Sequence, residues 1–188
     1  MIVAQVRNVK PGHAVIHPNR DKWSCKVTRL IIVAILLGSA ALMLILTIGG
    51  WSKLQGLKPV DFVTIALYVI FAIYIFRWTR GLLPIAAGLA ILLLIVVVIA
   101  ALGAAGTSWF QRGHAGFGPA QSLFGGKGLG ADVLGTVTVV LIPVEVALIV
   151  LALVGFVQGW NIETEVTAEE ADKRGSKIVA RGPEEATA

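Results

Sequence analysis

The chain has 188 residues, of which 56% are hydrophobic and only 14% charged, and its formal net charge is +5. A soluble globular domain carries roughly a quarter charged residues, so this much apolar side chain excludes an ordinary water-soluble globule and points to lipid. The positive charge does not indicate nucleic acid, because no recognition motif accompanies it and it is concentrated at the start of the chain.

Residues 1–29 carry Arg7, Lys10, Arg20, Lys22, Lys26 and Arg29 against Asp21. A basic segment next to an apolar run is explained by topology and anionic headgroups. His13 and His17 have i, i+4 spacing, but Pro11, Gly12 and Pro18 disfavour a helix there, and two ligands fall short of a zinc site. Cys25 is the sole cysteine, which rules out an internal disulfide. Palmitoylation is chemically open to it, with an ordinary thiol the simpler reading. Lys22-Trp23-Ser24 does not suit a lipoprotein cysteine. The apolar run after Arg29 is longer than a cleavable signal core needs, so it is expected to stay as an anchor.

The first span is placed at residues 30–52, free of charge between Arg29 and Lys53. Its reach of roughly 34 Å exceeds a hydrocarbon core of about 30 Å. Pro59 suits the first turn of the second span, placed at 60–79, where Asp61 and Arg77 are expected at the two interfaces with Arg77 snorkelling. A tight connection at Arg80-Gly81 leads to the third span, 82–105, and spans two and three are expected to form a close hairpin. Residues 106–132 form a long linker with eight glycines, read as a turn-rich external cap in which Trp109, Phe110, Phe117 and Phe124 rest on the bilayer or on a partner. The fourth span is 133–158. In the polar tail, 159–188, Thr167-Ala168-Glu169-Glu170 reads as a capping box for one short helix, and the remainder is expected to be largely disordered.

The fold class is therefore all-α: a polytopic integral membrane protein with a four-helix transmembrane bundle and both termini cytoplasmic. With four spans and the N-terminus inside, twelve Lys/Arg fall inside and four outside (Lys53, Lys58, Arg112, Lys127), a positive-inside bias. Trp51, Trp78, Trp109 and Trp160 fall at the ends of the four spans, with Trp23 just before the first, and are read with Arg77 as interface anchors.

Glu145 sits near the centre of the fourth span. A charge at mid-bilayer costs about 2.5–3.5 kcal/mol, which the many Leu, Ile, Val and Phe residues of the same helix offset. Gly135, Thr138, Ile142, Glu145, Ile149, Ala152, Phe156 and Gly159 share one small and polar stripe. Val133, Val137, Val140, Val144, Leu148 and Leu151 form a bulky opposite one, read as facing lipid. Glu145 should thus face protein, and counting depth makes Ser39 and Tyr68 its expected partners in a polar cluster. Pro143 lacks an N–H for the Val139 carbonyl and is expected to kink the helix, with Thr138 or a neighbouring helix serving the freed carbonyl.

No histidine lies in any span, which argues against axial haem ligation. Gly125-Gly126-Lys127-Gly128 lacks the leading glycine and the Ser/Thr of a P-loop, and Gly126 to Gly130 misses the dinucleotide spacing. No nucleophile and base pair up. No cofactor, metal or catalytic activity is expected. The expected function is a non-catalytic subunit or structural component of a membrane assembly in the plasma (inner) membrane, with the lipid bilayer, other membrane subunits or further copies of itself as partners. The alternative is a small oligomeric transporter or channel using Glu145 for proton or cation coupling.

Overall fold

A computed structural model describes residues 9–102, 109–111 and 119–183. The chain is mostly helical, with four helices long and apolar enough to cross a membrane. In chain order come strand β1 (His13–Ile16), a single turn α1 (Pro18–Asp21) and the long helix α2 (Trp23–Gly49). Then follow α3 (Lys58–Phe76), α4 (Leu83–Leu102), α5 (Ala131–Val157), strand β2 (Thr164–Thr167), the short helix α6 (Ala168–Lys173) and strand β3 (Ile178–Arg181).

A long apolar helix is present for each expected span, with shifted ends. α2 begins at Trp23 rather than near 30, because a charge-free run marks where apolar side chains begin and not where backbone hydrogen bonding begins. α3 stops at Phe76, where Arg77 leaves the helical region and Trp78 takes φ +69°. Residues 103–105, expected to end the third span, lie outside the described residues. α5 runs without a break through Pro143, whose side chain is exposed. Gly159, with φ +62°, ends that helix in the left-handed turn that glycine adopts without strain.

Neighbours in sequence are not always neighbours in space. α2 packs on α3 and on α5, and α5 packs on α4, while α3 and α4 touch little although one short turn joins them. This corrects the expected hairpin of spans two and three. α4 buries Ala86, Ala87, Ala90 and Ala101, small residues that let a helix approach its partner closely, and α5 meets it with a face of Leu141, Leu148, Ala152 and Gly155. The space at Gly155 is tight: a Cβ there would stand 3.0 Å from the Trp160 ring and 3.1 Å from Ile32.

The all-α expectation also needs correction. β1 is the middle strand of a three-stranded antiparallel sheet in the order β2-β1-β3. Val15 lies opposite Glu165 on one side and Ala180 on the other. Ala14 and Ile16 are fully buried against Ala171 of α6. Besides the one short helix expected there, the tail forms β2 and β3, because β1 supplies a hydrogen-bonding partner that lies far away in sequence. The short helix itself follows the capping box: the Thr167 hydroxyl accepts from the Glu170 N–H at 3.3 Å. The sheet holds the segments before α2 and after α5 at one end of the bundle, termed here the basic end.

At that end donors from the leading segment and from the connection between α3 and α4 cap the helices they meet. Asn19 donates to the carbonyls of Gln158 and Gly159, Arg29 to that of Phe76, and Arg80 to that of Phe156. Cationic and amide donors at helix C-termini satisfy carbonyls that have no intrahelical partner. At the opposite end, residues 119–130 fold back over α2. Leu123 and Leu129 donate to the carbonyls of Ile48 and Gly49, with a turn at Gly125 and Gly126, both at positive φ.

Candidate functional site

Three helices bring polar atoms to one point at mid-depth. On α2 the buried face runs Ile32, Leu36, Ser39, Ala40 and Met43. On α3 it runs Thr64, Tyr68, Phe71, Ala72 and Ile75, and on α5 it runs Leu134, Thr138, Leu141, Glu145, Leu148 and Ala152. Apart from the adjacent pairs Ser39-Ala40 and Phe71-Ala72, each series advances by three or four residues, the spacing that keeps side chains on one face of a helix. Where the faces meet, Ser39, Tyr68 and Glu145 are all fully buried. The Ser39 hydroxyl donates to Oε1 of Glu145, and the Tyr68 hydroxyl donates to Oε2 at 2.7 Å. Both carboxyl oxygens are therefore engaged, by two different helices.

The cluster lies between two apolar layers. Toward the basic end are Leu36, Phe71, Ala87 and Leu148, and toward the other end Met43, Leu134, Leu141 and Val97. Chemically, it joins three helices through hydrogen bonds made in a dry interior, where an unmade bond leaves a polar group unpaid by water. Among the described residues no three His, Cys, Asp or Glu side chains converge.

No family model, curated protein or solved structure matches this chain.

The structure thus brings Glu145, Ser39 and Tyr68 together as expected from depth. The stripe drawn on α5 is rotated, however: Leu148, placed on the lipid side, is fully buried, while Phe156, placed on the protein side, is exposed. A period of 3.6 residues leaves flanking positions ambiguous when nearly every residue is apolar, and Leu148 belongs to the face that α4 and α2 cover. Thr138 does not serve the Val139 carbonyl, because its hydroxyl donates to Leu134 one turn back at 2.8 Å.

The tryptophans divide. Trp51 is half-buried under Lys58, whose Nζ lies 4.4 Å from the ring centroid. Trp109 is half-buried, and its indole N–H donates to the Lys53 carbonyl at 3.1 Å. Trp78 is half-buried, edge-on to Trp160 with ring centroids 5.6 Å apart. Trp160 is completely buried, with its N–H on Gln158, so it anchors protein to protein and not to headgroups. Arg77 is exposed at the end of α3. In the linker, Phe110 is buried in the core rather than resting on a surface, Phe124 is fully displayed at the turn, and Phe117 lies outside the described residues.

The gap between α3 and α4 leaves a crevice of about 290 Å³ lined by Met43, Leu57, Asp61, Val97, Phe110 and Thr138 among others. Among the described lining residues Asp61 is its one carboxylate, and Thr47 lies beside it. The Thr47 proton, however, already goes to the Met43 carbonyl at 2.8 Å. Depth counting from the loop end would have paired Asp61 with Thr47, but the crevice itself depends on α3 and α4 standing apart, which no local pattern records.

Proposed function

We propose that the chain is a four-span protein of the plasma (inner) membrane, with both ends cytoplasmic, acting as a non-catalytic structural component that packs against other membrane proteins or copies of itself. Support for insertion comes from the outer surface. Val63, Ile73, Leu92, Ile95, Ile99 and Val150 are among many large apolar side chains left exposed around the bundle, far more than a protein surrounded by water displays. Pairing of β1 with the tail requires both segments on one side, as an even number of spans provides, and the basic residues gathered there favour the cytoplasmic side.

The observation that carries the functional reading is the state of Glu145. An acid that passes protons or cations needs access and a free oxygen, whereas both oxygens of this buried acid are held by Ser39 and Tyr68. That is the arrangement of a packing bond. Purification from native membranes in mild detergent, followed by mass spectrometry and cross-linking, tests it. A stoichiometric partner or a defined homo-oligomer is expected. A monomer without partners, together with liposome flux abolished by Glu145→Gln, would reverse the reading.

The alternative, a small oligomeric transporter or channel, draws its support from a different carboxylate. Asp61 faces the crevice between α3 and α4 and makes no ion pair among the described residues. Cation flux in liposomes that survives Glu145→Gln and is lost in Asp61→Asn would favour that reading.

A further inference from the structure

We propose that a crevice at the basic end, walled by α1, the first two turns of α2, Trp78 and the tail, binds the multiply charged phosphate headgroup of an anionic phospholipid. The crevice measures about 450 Å³ and is lined by His17, Arg20, Lys26, Arg29, Trp78 and Lys177, together with Asp21, Trp23 and Leu30. Among the described residues, four fixed cations thus face one space in which Asp21 is the sole acid. The excess suits a headgroup bearing two negative charges better than a singly charged one, and the volume exceeds what one phosphate fills.

The donors are available. A guanidinium carries five N–H donors. Among the described residues Arg20 spends one terminal nitrogen on Asn161 and Arg29 one on the Phe76 carbonyl, which leaves the other terminal nitrogen of each guanidinium without a hydrogen-bond partner. Lys26 and Lys177 make no side-chain hydrogen bond or ion pair with any described residue. The two arginines are pre-positioned: the Arg29 guanidinium lies 4.0 Å and that of Arg20 5.8 Å from the Trp78 ring centroid. Trp78 in turn has a left-handed backbone, φ +69°, rare for an aromatic residue. Strained residues persist where surrounding structure over-determines them, and they cluster at ligand sites.

Depth selects the source of the phosphate. Arg29 is the last charge before the apolar run of α2, and Leu30 beside it is 49% exposed and Trp23 79% exposed. Acyl chains can lie on these two residues while the headgroup enters the crevice. Basic pockets beside membrane helices hold multiply charged lipid headgroups in this manner. The tail contributes Lys177 only because the sheet returns it to the same end, so the site joins residues separated by most of the chain.

This inference rests on the bilayer reading above, and one experiment separates the two. The full chain, purified in mild detergent and delipidated, is titrated with diphosphatidylglycerol, with phosphatidylcholine or with inorganic phosphate, while native mass spectrometry reads binding and thermal unfolding reads Tm. Diphosphatidylglycerol is expected to bind and raise Tm, and the other two to do neither. The double variant Lys26→Gln/Lys177→Gln, which removes no described internal contact, should keep the unliganded Tm and bind the lipid about 30-fold more weakly, as expected for loss of two cations near an anionic lipid. Equal binding of phosphatidylcholine, or unchanged affinity in the double variant, would overturn the site. Equal binding of inorganic phosphate would reassign it to a soluble anion. A chain that stays dispersed without detergent would overturn the bilayer reading and the site with it.

Discussion

Replacing Glu145 tests the central bond of the bundle. Glu145→Gln keeps the shape of the side chain and one acceptor oxygen, but turns an NH2 toward a hydroxyl that now donates to the carboxylate. Interhelical hydrogen bonds of this kind contribute about 0.6 kcal/mol on average and up to about 1.7, so the loss of one should destabilise by that amount. Glu145→Leu fills similar volume, yet removes both bonds and strands the Ser39 and Tyr68 hydroxyls in a dry core, for a loss of about 1.2–3.4 kcal/mol. Equilibrium unfolding by sodium dodecyl sulfate in mixed micelles, followed by far-ultraviolet circular dichroism, measures these values. Double-mutant cycles of Glu145→Leu with Ser39→Ala and with Tyr68→Phe should each show coupling, whereas a cycle with Thr136→Ala, whose hydroxyl bonds Asp132 in its own helix, should show none. The triple variant Glu145→Leu/Ser39→Ala/Tyr68→Phe should recover much of the loss, because the penalty lies in unpaired polar groups rather than in the missing acid. Zero coupling in both cycles, or a Glu145→Leu single variant more stable than the parent, would refute the reasoning.

Other outcomes follow from named contacts. Gly155→Leu should destabilise by about 1–3 kcal/mol through collision with Trp160, Ile32 and Leu83, visible as a lowered unfolding midpoint in the same titration. Gly128→Ala would drive a Cβ into the Gly49 and Ala120 carbonyls and should release residues 119–130 from α2, read as faster amide exchange at Leu123 and Leu129. Val15→Pro removes an N–H from the middle strand of the sheet, so exchange should accelerate across 13–16, 164–167 and 178–181 while the helical circular dichroism stays unchanged. Reporter fusions after Pro183 and at Phe124 should report the cytoplasm and the far side respectively, and the reverse result would invert the proposed orientation.

Much of the architecture is legible in the linear chain. The four long helices show in charge-free runs, because each run is apolar and long enough for a helix that could cross a membrane. Glu145, Ser39 and Tyr68 are legible as a group because rise per residue converts position into depth. Lateral arrangement is not. α4 is apolar all round, so its sequence does not reveal that it packs on α5 while leaving α3. The burial of Leu148 and Trp160 follows from that pairing, not from their residue types. The sheet is hidden for another reason: His13–Ile16 is four residues long, and its partners lie beyond the whole bundle. Such short segments become strands only when a distant edge is offered. The crevices at Asp61 and at Arg20, Arg29 and Lys177 inherit the same blindness, since both are assembled from helix neighbours and from the sheet.

The position of β1 between two strands of the tail also sets a timetable for biogenesis. Roughly 150 residues separate it from its first partner, so at a synthesis rate of about 5–20 residues per second it waits some 8–30 s before pairing begins. During that interval Ala14 and Ile16 lack their shelter and both backbone edges of the strand are unmatched. A nascent chain stalled before the tail emerges would display this hydrophobic, edge-exposed segment, giving quality-control proteases a mark that completed molecules no longer carry.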